Sequence, residues 1–96
     1  MNSNKSEEVL AVVVDTIRRT VGEDWIEEFE IGPTTRFTDD LDIESIEFVK
    51  MADALQAYYG TRVDIIGWLS SKSIHELIKL NVGDVAGYVA ANLTPT

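Results

Sequence analysis

Ninety-six residues, 45% of them hydrophobic and none of them cysteine, leave room for one domain with one core and no covalent staple. Without cysteine there can be no disulfide, thiolate metal site or thiol nucleophile, and the single His75 cannot by itself build a zinc site. Seventeen acids against eight bases give a net charge of −9, and the excess lies entirely in residues 21–47, where Glu23, Asp24, Glu27, Glu28, Glu30, Asp39, Asp40, Asp42, Glu44 and Glu47 face Arg36 alone.

That sign speaks against nucleic acid and against anionic membrane surfaces. It suits a basic surface on another protein, with plain solubility as the simpler role of such a run. The apolar runs are too short to span a bilayer, and no basic stretch followed by an apolar one opens the chain. A cytoplasmic domain covering 1–96 is expected, frayed over residues 1–5, which carry no apolar anchor.

Ser6, Glu7 and Glu8 make a helix start, with acids near the positive end of the dipole. Leu10, Val13, Ile17 and Val21 then recur at helical spacing, and Arg18 and Arg19 precede the stop at Gly22. From Gly22 to Glu44 the period is lost. Gly32-Pro33-Thr34-Thr35 cannot continue a helix, yet Trp25, Ile26, Phe29, Ile31, Phe37 and Leu41 predict a loop pinned to the core, with a short helical turn near 24–29.

A clear helix follows from Ser45. Phe48, Met51, Ala52, Leu55 and Tyr59 fall on one face, and Gly60 ends it. Between Thr61 and Leu80 the composition of 63–69 favours a strand, but a lone strand has nothing to pair with. A packed loop with a short helix over 73–79 is the reading taken. Asn81, with Asp84 three residues on, caps a last helix whose stripe is Val82, Val85, Val89 and Leu93, and Pro95 ends the ordered chain. The expected fold is all-α: a small four-helix bundle with a long loop between helices one and two and a short third helix.

Enzymatic patterns are missing. No serine sits in a G-x-S-x-G elbow, and no glycine-rich loop followed by lysine offers a phosphate cradle. His75, in Ser-Ile-His-Glu, reads as a surface histidine on a short helix. A calcium loop begun at Asp40 would need glycine at its sixth position and glutamate at its twelfth; Ser45 and Met51 stand there. No metal site and no catalytic residue are assigned. One candidate remains. Asp40-Leu41-Asp42-Ile43-Glu44-Ser45-Ile46-Glu47 puts a serine at the start of an amphipathic helix directly after the acidic loop. Taken alone, that serine is an N-cap, contributing ~1 kcal/mol.

The segment from Phe37 to Tyr59 resembles the acyl carrier protein family, whose hallmark is an Asp-Ser-Leu core at the start of the second helix. Asp40-Leu41-Asp42-Ile43 matches the lead-in, Ser45 the modified serine, Ile46 the leucine and Glu47 the following acid; Asn81-Val82-Gly83-Asp84-Val85 resembles the start of the family's fourth helix. In helix order the resemblance spans about residues 7–93. It implies a monomeric, non-enzymatic carrier whose Ser45 takes 4′-phosphopantetheine from coenzyme A and holds acyl groups as thioesters. The implied partners are a phosphopantetheinyl transferase and acyl-loading and acyl-processing enzymes with basic docking surfaces, meeting Asp40, Asp42, Glu44, Ile46 and Glu47. On the helical wheel Ile46 lies opposite the buried face, beside Lys50, Asp53 and Ala57, as a contact for a partner would.

Two departures from the family stand out. Glu44 replaces the usual aspartate, keeping the charge on a longer side chain, and the connection from Gly60 to Leu80 is longer and less acidic than in compact fatty-acid carriers. The second points to a specialised fatty-acid or polyketide-type pathway. A peptidyl or aminoacyl carrier, and an acidic helical adaptor whose Ser45 only caps a helix, are the alternatives.

Overall fold

In the computed structural model, which describes residues 5–22 and 24–93 (for Lys5 and Ser45 the backbone alone), the first helix, α1, covers Lys5–Val21. Its start is one residue earlier than expected, so Ser6 lies inside the first turn rather than before it. Lys5 apart, the frayed start falls outside the described residues, as do Glu23 and the stop at Pro95. The buried stripe of α1 is Val9, Val13 and Ile17, with Leu10 and Val21 at its half-buried edges. Thr16 shares the buried face because its hydroxyl donates to the Val12 carbonyl at 2.7 Å, which spares it an unpaired polar atom.

The segment from Gly22 to Glu44 is pinned, as its apolar residues require. A short helix, α2, spans Asp24–Glu28 and buries Ile26, and the Arg18 side chain donates to the Phe29 carbonyl at 3.2 Å. Further on, the chain meets the start of the last helix, α6 (Val82–Asn92). The Val82 N–H donates to the Thr35 carbonyl at 2.8 Å and the Gly83 N–H to the Pro33 carbonyl at 2.7 Å, so the loop takes up amides the helix cannot satisfy itself. Gly83 is required by this approach, because a Cβ there would stand 2.7 Å from the Pro33 carbonyl oxygen. Arg36 and Asn81 form an isolated antiparallel bridge, and no sheet develops among the described residues.

The second long helix, α3, runs Ser45–Tyr59 and continues into a 3-10 turn over Gly60–Arg62. Met51, Ala52, Leu55 and Tyr59 are buried, with Phe48 half-buried against them. Two short helices follow, α4 (Ile65–Ser70) and α5 (Ile74–Lys79). The second is the expected third helix, opened by a capping box in which Ser73 Oγ accepts from the Glu76 N–H and Glu76 Oε1 from the Ser73 N–H. The first replaces what reads in sequence as loop. The physical reason is Asp64, whose Oδ1 accepts from the Gly67 N–H at 3.0 Å and caps a segment of poor intrinsic helix formers. Any side chain at Gly67 would run into that carboxylate. The stacked rings of Trp68 and Tyr88, 4.1 Å apart and 5° from parallel, hold α4 against α6.

The last helix buries Val82, Val85, Ala86 and Val89, with Leu93 half-buried beyond its end. Asn81 and Asp84 form its capping box as expected. Among the described residues the bundle is thus three long helices, α1 packed on α3 and α6, with α5 as its short third member in chain order and α2 and α4 added in the connections. No helix among the described residues is long and apolar enough to cross a membrane.

Candidate functional site around Ser45

Two buried anchors, Phe37 and Leu41, fix the acidic loop before Ser45. Between them the chain turns back on itself. The Arg36 carbonyl accepts from the N–H groups of Asp40 and Leu41, the Arg36 N–H donates to Asp40 Oδ2 at 2.8 Å, and the Ile43 N–H donates to the Phe37 carbonyl. Asp39 pairs with the Arg36 guanidinium at 3.3 Å. Asp42 leaves the turn with φ of 52°, the left-handed region that aspartate tolerates better than branched residues do.

Glu44, not Ser45, is the N-cap of α3. Its backbone is extended, with φ −80° and ψ 164°, and its carbonyl accepts the first helical bond from the Phe48 N–H at 2.9 Å. Its own N–H donates to Glu47 Oε1 at 3.3 Å. Ser45 is the first residue with helical backbone, so the reading of that serine as the cap is corrected. The reason is a shift of one residue: glutamate is a poor cap by type, but the turn ending at Ile43 delivers the chain to 44 in extended form.

The expected contact residues gather here, at the head of α3. Asp40, Asp42 and Glu44 are exposed and Glu47 is half-buried. Ile46 is 64% exposed, and Lys50, Asp53 and Ala57 below it on the wheel are exposed too. His75 is exposed on α5 and lies outside this group of acids in sequence and on another helix.

An apolar groove opens beside the acids. A hollow of about 230 Å³ is lined by Thr38 and Ile43 from the loop, Phe48 and Val49 from α3, and Ile74, Leu77 and Ile78 from α5. It adjoins a second, of about 290 Å³, which continues past Phe48, Val49 and Leu77 to Ala52, Asp53, Ile66, Leu69 and Ser70. Ile74, at 72% exposure, and Val49, at 57%, are apolar side chains left open along it. Sequence reasoning passed over the α5 wall; its signal was Ile74 and Ile78, four residues apart behind the Ser73 cap. The Ser73 N–H, donating to Glu76, holds that carboxyl below the ordinary carboxylate value, with smaller help from Lys72.

Among the described residues no group of three or more histidine, aspartate or glutamate side chains is placed to hold a metal ion. What the site offers is a serine at the first position of a helix, flanked by exposed Glu44 and Ile46, with an apolar groove that begins at Phe48 and Val49 one turn along the same helix. Those residues fit a long covalent attachment with an apolar end.

Curated relatives share the chain's pattern. It is 33% identical over 86 residues to the meromycolate extension acyl carrier protein of Mycobacterium tuberculosis, an alignment covering 86% of this chain and 63% of that protein. The protein of the same name from Mycolicibacterium smegmatis is 31% identical over 86% of this chain and 73% of its own length, and that from Mycolicibacterium aurum 30% over 86% and 74%. The chain therefore spans less than two thirds of the length of the Mycobacterium tuberculosis relative. No family model matches it, and no solved structure matches it significantly.

Proposed function

Because this chain belongs to the acyl carrier protein family, we propose that it works as an acyl carrier, with a 4′-phosphopantetheine arm attached to Ser45. The observation that carries the reading is the position of Ser45, the first helical residue of α3, between exposed Glu44 and Ile46 and beside the groove. The arm, when attached, supplies the thiol that a cysteine-free chain lacks, and that thiol holds acyl groups as thioesters.

The chain's own residues then do three things. Phe37 and Leu41 hold the loop so that the backbone at 45 is presented in a fixed place. Asp40, Asp42, Glu44 and Glu47 surround Ile46 with negative charge, which draws in basic surfaces and sets their register. The groove between α3 and α5 shelters apolar cargo from water. Catalysis belongs to the partners: a phosphopantetheinyl transferase and the enzymes that load and process the acyl group. In this reading the carrier is a monomer in the cytoplasm. The relatives' name, meromycolate extension, and two adjoining apolar hollows favour long acyl cargo in a specialised fatty-acid pathway over amino-acid cargo.

The test is mass spectrometry after incubation with coenzyme A and a promiscuous transferase. Wild-type protein should gain the mass of one phosphopantetheine and Ser45→Ala none. Because 45 is not the cap, the alanine variant should lose less than the ~0.5–2 kcal/mol that a cap residue contributes. No mass gain in the wild type would leave the acidic adaptor; a gain that persists in Ser45→Ala would move the attachment elsewhere.

A further inference from the structure

The side chain of Gln56 uses its whole hydrogen-bonding capacity on one turn of chain. Its Nε2 donates to the Gly60 carbonyl at 2.7 Å and to the Val63 carbonyl at 2.8 Å. Its Oε1 accepts from the Ile65 N–H at 2.8 Å and the Ile66 N–H at 3.1 Å. A primary amide has two donors and two lone pairs, so nothing is left over. The partners also fix which end of the amide is which: two carbonyls face the nitrogen and two N–H groups face the oxygen.

Those partners join the end of α3 to the start of α4. The 3-10 turn and residues 63–64 between them contain Gly60 at φ 64° and no regular ladder, and α4 itself is too short to be stable alone. Gln56 lies one turn beyond Ala52 and Asp53, which line the second hollow from α3. Ile66, whose N–H it holds directly, lines the same hollow from α4, followed by Leu69 and Ser70. One side chain on α3 is therefore hydrogen-bonded directly to the start of the α4 wall.

We propose that Gln56 is the positioning residue for the far end of the groove, clamping the α3–α4 turn so that Ile66 and Leu69 stand at the distance that shelters the distal part of a long acyl chain. This rests on the acyl-carrier reading and deepens it: Gln56 governs how cargo is discriminated by length, and has no part in attachment at the other end of α3. The other holds on α4 do not depend on it. Asp64 still caps the helix, Ile65 and Leu69 stay buried, and Trp68 stays stacked on Tyr88. Losing the clamp lets α4 pivot about the Trp68 stack instead of unfolding.

The experiment compares wild type, Gln56→Met, which keeps the length and loses all four bonds, and Gln56→Glu, which keeps the acceptor for Ile65 and Ile66 but sets oxygen against the Gly60 and Val63 carbonyls. Each is loaded with hexadecanoyl- or butyryl-phosphopantetheine, and thioester cleavage by hydroxylamine is timed. In wild type the hexadecanoyl thioester should be cleaved several-fold more slowly than the butyryl one. In both variants the hexadecanoyl rate should rise several-fold towards the butyryl rate, with the butyryl rate and the rate of arm attachment unchanged. Amide exchange at Ile65 and Ile66 in the unloaded protein should quicken in Gln56→Met, with no arm needed. An unchanged ratio in a folded variant, an equal rise for both chain lengths, or unchanged exchange would each overturn the proposal. Failure of wild-type protein to take an arm overturns the carrier reading instead, and the exchange measurement then decides whether the clamp exists.

Discussion

The ring of Phe37 meets that of Phe48 edge to face, with centroids 5.4 Å apart and planes at 77°. Phe37 belongs to the acidic loop and Phe48 to the first turn of α3, so one aromatic contact ties together the chain on either side of Ser45. Phe37 is also among the largest fully buried side chains. Phe37→Ala should cost about 3–5 kcal/mol, a large part of the ~5–15 kcal/mol that holds a typical domain together. Phe37→Leu, which keeps most of the volume, should cost far less. Thermal melts of the two variants read this directly, and an alanine variant melting with the wild type would contradict the anchoring role.

The acids around Ser45 serve the loop as well as the surface, which dictates how their charge must be tested. Asp40 accepts from the Arg36 N–H and Glu47 from the Glu44 N–H, so reversing either charge also removes an acceptor. Asp40→Asn and Glu47→Gln keep an oxygen in place and remove only the charge. Loading by the transferase should slow in each, with melting temperature nearly unchanged, and its salt dependence should flatten, since exposed charges are screened beyond ~8 Å at physiological ionic strength. Wild-type loading kinetics that ignore salt would leave the acidic segment with solubility alone.

Ile46 gains little from folding at 64% exposure. Ile46→Ala should therefore shift the melting temperature hardly at all, whereas a buried isoleucine cut to alanine loses ~2–5 kcal/mol. Arm attachment or acyl transfer by partners should nonetheless fall, because an apolar anchor inside a charged rim is where binding energy concentrates. Equal loading rates for the two proteins would remove Ile46 from the docking surface.

The capping box of α5 makes one wall of the groove sensitive to acid. The Glu76 carboxyl is held below its ordinary value, first by the Ser73 N–H. A group whose value is depressed on folding stabilises the fold above its unfolded value, and that contribution is lost as pH falls through the folded one. The α5 cap should thus be intact at neutral pH and loosen below the ordinary carboxylate range. Amide exchange at Ser73, compared with Glu76→Gln across that range, checks it; a Ser73 amide equally protected well below the carboxylate range would count against it.

Helices with strong apolar period and conventional ends were legible in the sequence: Asn81 with Asp84, and Ser73 followed by Glu76, mark their helices by residue type alone. The head of α3 is legible to the residue, but residue type points to Ser45 as its cap because serine is the better capping type; which residue is extended depends on a turn closed by Arg36 and Asp40. Residues 65–70 are not legible as a helix, because β-branched Ile65 and Ile66 and the following Gly67 argue against one locally. The Asp64 cap and the Trp68–Tyr88 stack, which joins residues twenty apart in sequence, override that preference. The exposure of Ile46 is legible because a single helical wheel decides it; the groove is not, since it needs α5 to lie across α3.

The two carbonyls that Pro33 and Thr35 lend to the head of α6 bear on the order in which this chain can assemble. Their partners, Val82 and Gly83, are synthesised long after the acidic segment, and a contact between such distant stretches must meet the entropy of closing the chain between them. On the ribosome, therefore, α1 and α3 can pair while the stretch before Ser45 is still untethered at Pro33. The amides of Val82 and Gly83 should be among those whose protection appears late in pulse-labelled refolding. A chain cut before α6 would therefore display the charge of its acidic segment without the two hydrogen bonds that fix Pro33 and Thr35.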